Sequence, residues 1–74
     1  MKLIRSDDTI YTLNNQYPEI IDILYDFGFK QIKMPQMIQT AGRLMTLKKG
    51  CEIKGFNYEE LIKVLYNHGF QIIE

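Results

Sequence analysis

The segments "YPEIIDILYDFGF" (17–29) and "YEELIKVLYNHGF" (58–70) align without a gap, and seven of their thirteen positions are identical. In both segments the apolar residues recur at the spacing of one helix face. A Gly-Phe pair ends each segment, and a glycine in the left-handed conformation is a common way to end a helix. We therefore predict two helices that stop at Gly28 and Gly69, each with a phenylalanine folded back onto the last turn.

Capping residues and apolar spacing predict three more helices along the chain. The five helices are expected near residues 9–16, 18–28, 35–44, 46–54 and 57–68. The predicted fold class is therefore all-α, a compact bundle of about five short helices. The whole chain of 74 residues, 1–74, is expected to form one small helical domain.

The extreme ends of the chain follow a different pattern from the predicted helices. The segments "KLIR" (2–5) and "FQIIE" (70–74) are expected to pair as a short two-stranded ribbon that joins the chain ends. The helix expected at 46–54 has Thr46 as its cap and Gly55 as its stop. Its apolar positions Leu47, Cys51 and Ile53 are expected to face inward.

Composition sets the broad class of the protein. The chain is 46% hydrophobic and has nine aromatic residues (five Tyr and four Phe), which is enough apolar area for a folded core. The chain has no run of about 18 apolar residues, so no membrane span is predicted. Cys51 is the single cysteine, so no internal disulfide is expected and the predicted location is cytoplasmic.

Charge is unevenly distributed although the net charge is zero. Residues 1–29 hold two basic and five acidic residues (−3), residues 30–54 hold six basic and one acidic (+5), and residues 55–74 hold one basic and three acidic (−2). The simplest interpretation is a mixed-sign surface on the folded domain. Zero net charge argues against binding to a nucleic-acid backbone, although the basic middle segment keeps that hypothesis open.

The residues offer no recognisable catalytic constellation. Cys51 and His68 alone cannot supply a zinc site of the usual ligand number, and Ser6 is the only serine. A Cys/His nucleophile pair is formally conceivable, but a free cysteine on an inward helix face usually behaves as a small hydrophobe. We therefore expect no enzyme activity, no metal and no cofactor.

Two surface features are candidate binding sites. The first is an apolar interaction surface, for which methionines are well suited, although a methionine stripe is more often core. Its candidate residues are Met34, Met37, Ile38, Phe70, Ile72 and Ile73.

The second candidate is an anion site at the start of the helix at 46–54. Thr46 would cap the helix, Lys48 and Lys49 would lie in its first turn, and Arg43 precedes it. Backbone N–H groups at a helix start with nearby cations can hold an anion. The alternatives are two solvated lysines, or an internal ion pair with an acid such as Asp22.

The order of several short motifs resembles the bacterial domain-of-unknown-function family 1858 over nearly the whole chain. The motifs are an apolar start ending in Asp-Thr-Ile (4–10), "YPE" (17–19), "FGF" (27–29), "MPQM" (34–37), "GRLMTL" (42–47) and "KG" (54–55). The resemblance implies a small all-helical fold. It also implies that relatives occur alone or beside hemerythrin-like and sensor domains, and it implies no activity.

A similar branch is the hybrid-cluster-protein-associated redox disulfide domain. Its Cys-x-x-Cys pair falls here on Gln31 and Met34, which cannot form thiolates. The chain therefore departs from that branch at its defining site.

The hypothesis favoured at this point is a non-enzymatic protein-interaction or regulatory module that binds a partner or itself. By family analogy the partner could be a hemerythrin-like or sensor-domain protein. The alternative is a small-ligand or anion sensor that uses the helix start at Thr46–Lys49.

Overall fold

The two ends of the chain are strands, and the helices lie between them. The computed structural model describes residues 1–73. The elements in chain order are β1 (Lys2–Arg5), α1 (Ile10–Gln16), α2 (Ile20–Phe27), a 3₁₀ turn (Ala41–Arg43), α3 (Leu47–Lys54), α4 (Tyr58–Asn67) and β2 (Phe70–Ile73).

The strands β1 and β2 pair in parallel, with Ile4 opposite Ile72. The N–H of Lys2 donates to the carbonyl of Gly69, and the N–H of Ser6 donates to the carbonyl of Ile73, both at 2.8 Å. All four helices lie between the strands in the sequence, and parallel strands need a long crossover of this kind. The predicted pairing of the chain ends is thus present, and Glu74 lies outside the described residues.

The sheet makes residues 1–73 a mixed α/β domain, so the prediction of an all-α helical bundle is wrong. The all-helical fold that the family resemblance implied is corrected in the same way. The physical reason is that both ends run as extended segments that contain isoleucine, a β-branched residue that favours strands. Each end finds its backbone hydrogen-bond partners in the other end instead.

Four of the five predicted helices are present, and three of them are capped by side chains. Thr9, Thr46 and Asn57 accept hydrogen bonds from backbone N–H groups three residues later in α1, α3 and α4. The observed helix α2 starts at Ile20, after a turn at Pro18 and Glu19 that had been included in the prediction.

The fifth predicted helix, at 35–44, is absent, so the number of helices was also wrong. Met37 donates its N–H to the carbonyl of Met34 at 3.1 Å, which closes a turn with Pro35 and Gln36 at its centre. The φ of Gln36 is +67°, and a helix cannot contain that conformation. A series of turns follows, in which the N–H of Gly42 bonds to the carbonyl of Met37 at 2.9 Å.

The predicted glycine stops are present, with different backbone angles. Gly28 ends α2 at φ +148°, outside the left-handed helical region, and Gly69 follows α4 at φ +89°. Phe70 is only 1% exposed and contacts the ring of Tyr17 edge to face at 5.4 Å. The buried apolar residues form one cluster: Ile4, Ile10, Leu13, Ile20, Ile21, Leu24, Ile32, Leu47, Cys51, Leu61, Leu65 and Phe70.

Candidate functional site

An open apolar groove lies between α3, the turn region 29–45 and the start of α1. Its volume is about 240 Å³. The lining residues, which define the apolar groove from here on, are Ile10, Phe29, Gln31, Ile32, Met37, Ile38, Ala41, Gly42, Met45, Thr46, Leu47, Gly50, Ile53 and Lys54.

Main-chain contacts hold two sides of the apolar groove together. The N–H of Ile10 donates to the carbonyl of Met45 at 2.8 Å. Thr9 and Thr46 form an isolated antiparallel bridge beside it. Because Thr9 and Thr46 are also the caps of α1 and α3, the two helix starts are fixed next to each other.

Two buried glycines leave room for the groove. A Cβ at Gly50 would lie 3.2 Å from the ring of Phe29, so a larger residue there would push against the groove wall. A Cβ at Gly42 would meet the side chains of Ile10 and Ile38 at an ordinary 3.6 Å. The absence of a side chain at Gly50 therefore allows α3 to lie close to Phe29, whereas Gly42 stands at ordinary distances from its neighbours.

An aromatic cluster supports one wall of the apolar groove. The ring of Phe29 packs on Phe56 at 5.2 Å and on Phe27 at 6.1 Å between centroids. At the outer rim, Ile53 is 64% exposed, so the prediction that it faces inward is wrong. Ile53 therefore leaves a large apolar side chain open to solvent beside the groove.

The structure divides the predicted interaction surface into different places. Met37 and Ile38 are half-buried and line the apolar groove, whereas Met34 is 54% exposed and lies outside it. Ile72 and Ile73 are half-buried on β2. Phe70 belongs to the core, and including it in a surface was wrong because its ring packs against Tyr17.

The predicted anion residues are only partly brought together. The Thr46 hydroxyl accepts the N–H of Lys49 at 3.2 Å, and Lys48 is exposed beside it. Arg43 has other partners: its guanidinium lies 4.1 Å from the centroid of the Tyr11 ring and donates to Gln39. Anion binding at Thr46–Lys49 stays a prediction.

Cys51 and His68 occupy separate structural positions. Cys51 is buried in the core, and this burial raises the pKa of its thiol. His68 Nδ1 lies 2.9 Å from the carbonyl oxygen of Val64 at the end of α4. Over residues 1–73 no three His, Cys, Asp or Glu side chains are grouped so as to hold a metal ion.

Most residues of the apolar groove were not predicted as a site. Gly42, Gly50, Ile53 and Lys54 were interpreted only as parts of helices. One available signal was Ile53, an isolated apolar residue in the otherwise polar end of α3. The other was the pair of glycines inside segments expected to be helical.

Most of the chain matches a known protein family. Residues 4–62 match the family described as "Domain of unknown function (DUF1858)". The chain belongs to this family, as the resemblance of its motifs had indicated. The matched range contains the whole apolar groove.

A solved structure has the same fold. The chain is similar to a conserved domain protein from Streptococcus pneumoniae TIGR4, with a TM-score of 0.90 and 27% identity. The alignment covers 99% of this chain and 92% of the other. No curated protein matches the chain. Of the helices in residues 1–73, none is long and apolar enough to cross a membrane.

Proposed function

We propose that the protein is a non-enzymatic protein-interaction module that receives apolar side chains of a partner in the apolar groove. The observation that carries the proposal is the open apolar lining of this groove, with Ile53 exposed at its rim. Met37 and Met45 contribute flexible side chains, which suit a surface that adapts to a partner.

The chemistry of the lining supports binding rather than catalysis. Among the described residues the groove is lined by no Asp, Glu, His, Cys or Ser, the side chains that most often act as acids, bases or nucleophiles. A volume of about 240 Å³ is below the usual range for a small-molecule pocket, about 300–1,000 Å³. It suits one or two inserted side chains better than a complete small ligand.

The proposal extends to location and partner class. We place the module in the cytoplasm, because its one cysteine is free and buried. By family analogy, a hemerythrin-like or sensor-domain protein is the first partner to examine. Binding of a second copy of the chain is a further form of the same proposal.

Capture experiments with matched variants test the proposal. Ile53→Glu places a charge on the groove rim, whereas Leu44→Glu makes the same kind of change at a residue that is 82% exposed and does not line the groove. A photo-crosslinking residue at position 53 or 44 would then identify what lies next to each site in the native cell.

We expect a protein that crosslinks at position 53 and is lost on Ile53→Glu, but is retained by the wild type and by Leu44→Glu. Melting curves of both variants establish that they are folded. If all three proteins capture the same set, or if position 53 crosslinks to nothing, the proposal is wrong.

A further inference from the structure

The charged side chains next to the apolar groove are mainly positive. Lys54 lines the groove, and no carboxylate does so within residues 1–73. Helix α3, which forms one wall, also carries Lys48 and Lys49 on its exposed surface. Glu52 is the only acidic residue of α3, and it does not line the groove.

Within residues 1–73 the three lysines of α3 have no ion-pair partner, whereas three of the other six Lys and Arg residues have one. Elsewhere, Lys33 lies 2.7 Å from Asp22, and this hydrogen bond raises the pKa of Lys33. Lys2 pairs with Glu19, and Arg5 pairs with Asp7. The acids of the first third of the chain therefore do not neutralise α3.

The position of Lys48 and Lys49 is also unfavourable for the helix alone. The first turn of a helix carries a partial positive charge, which prefers acidic neighbours. The charges of these lysines are therefore not stabilised by the helix dipole, whereas a negative group brought by a partner would be stabilised there.

From this charge complementarity we propose that the occupant of the apolar groove is an acidic peptide segment of a second protein. It inserts one or two large apolar side chains into the groove, and its flanking Asp or Glu residues face Lys54 and the lysines at the start of α3. This inference rests on the proposed function and adds the chemistry of the partner.

A random dodecapeptide library displayed on phage is the probe. It is selected on the immobilised full chain, and the enriched peptides are tested against Ile53→Glu, Lys54→Gln and the control Lys63→Gln. Lys63 is an exposed lysine of α4 that does not line the groove, so its substitution removes a charge without touching the site.

We expect enriched peptides with apolar residues flanked by Asp or Glu. Their binding should be lost on Ile53→Glu and unchanged by Lys63→Gln. Lys54→Gln should weaken their binding about two- to five-fold, the effect of losing one exposed ion pair. The double substitution of Lys49 and Lys54 by Gln should weaken binding about ten-fold, and the effect should shrink as salt is added.

The outcomes separate this inference from the proposed function. If the enriched peptides are neutral or basic and depend on Ile53 but not on Lys54, the acidic partner is wrong and the groove still binds protein. If no enriched peptide depends on Ile53, the inference and the proposed function are both contradicted.

Discussion

Two glycines with positive φ end similar sequences but stand in different surroundings. A Cβ on Gly28 would lie 2.9 Å from the ring of Phe56, whereas a Cβ on Gly69 would meet no atom within 4 Å. Both positions strain any L residue, because φ is +148° at Gly28 and +89° at Gly69. Gly28 is therefore required for its backbone conformation and because a side chain would clash with Phe56. Gly69 is required for its backbone conformation alone.

We predict that Gly69→Ala lowers the free energy of unfolding by about 1–2 kcal/mol, the cost of left-handed backbone for an L residue. Gly28→Ala should cost more, because displacing the Phe56 ring adds an overpacking penalty of roughly 1–3 kcal/mol. Urea unfolding of both variants measures the difference. Equal losses would contradict the assigned role of Phe56.

Gln36 is the one non-glycine residue with positive φ in the described chain. Gln36→Gly should raise the free energy of unfolding by about 0.5 kcal/mol, since relief of the strained φ outweighs the extra freedom of glycine in the unfolded chain. The control is Leu44→Gly, at an exposed residue of the same turn region where φ is −109°. That substitution should lower stability, and equal effects of the two changes would contradict the strain argument.

Helices α1, α3 and α4 begin with the same device, a side-chain oxygen that accepts the N–H three residues later. At α3 this device also serves tertiary structure, because Thr46 bridges to Thr9 at the start of α1. Lys48 and Lys49 follow the cap in the first turn. The start of α3 is thus joined to the start of α1 and lies next to two lysines that have no ion-pair partner among the described residues.

We predict weak phosphate binding at this helix start, with a dissociation constant in roughly the millimolar range, about −4 kcal/mol. Phosphate should move the backbone amide signals of residues 46–49 in a titration followed by NMR. Replacing Lys48 and Lys49 with Glu should abolish the movement, and Lys63→Glu should preserve it. Unchanged signals at tens of millimolar phosphate would disprove the site.

Strands β1 and β2, at the two ends of the chain, pair with each other and contribute to the core. Strand β1 brings Ile4, which is 1% exposed, into the same core cluster as Phe70 of β2. An ion pair from Lys2 to Glu19 joins β1 to the start of α2 and lowers the pKa of Glu19. The stabilisation from this pair is present at neutral pH and is lost as the pH falls through the lowered pKa of Glu19.

Adjacent residues of β1 test how far the sheet contributes to stability. Ile4→Ala should lower the free energy of unfolding by roughly 2–4 kcal/mol, because it leaves a cavity in place of a fully buried side chain. Leu3→Ala should change stability by no more than about 0.5 kcal/mol, since Leu3 is 54% exposed. Thermal and urea unfolding give both values. A small loss for Ile4→Ala would mean that the helices hold the core without β1.

Local sequence information was enough for the four helices that are present. Helical spacing, the caps Thr46 and Asn57, and the stops Gly28 and Gly55 act within a few residues, so their effect can be predicted without knowing the rest of the fold. The helix expected at 35–44 failed because the Pro35–Gln36 turn and Gly42 outweigh a weak apolar pattern. Met37 and Ile38, which were predicted as part of an interaction surface, line the groove, and their role in binding stays a prediction.

Tertiary structure alone decided the parallel direction of the sheet and the apolar groove. The partners of β1 are more than sixty residues away in the sequence, and the direction of pairing depends on how four helices bring the chain back. The groove likewise joins Ile10, Phe29 and Ile53, which no local pattern connects. Hydrogen bonds within a helix depend on neighbours along the chain, whereas a sheet and a groove depend on which distant surfaces the packing places together.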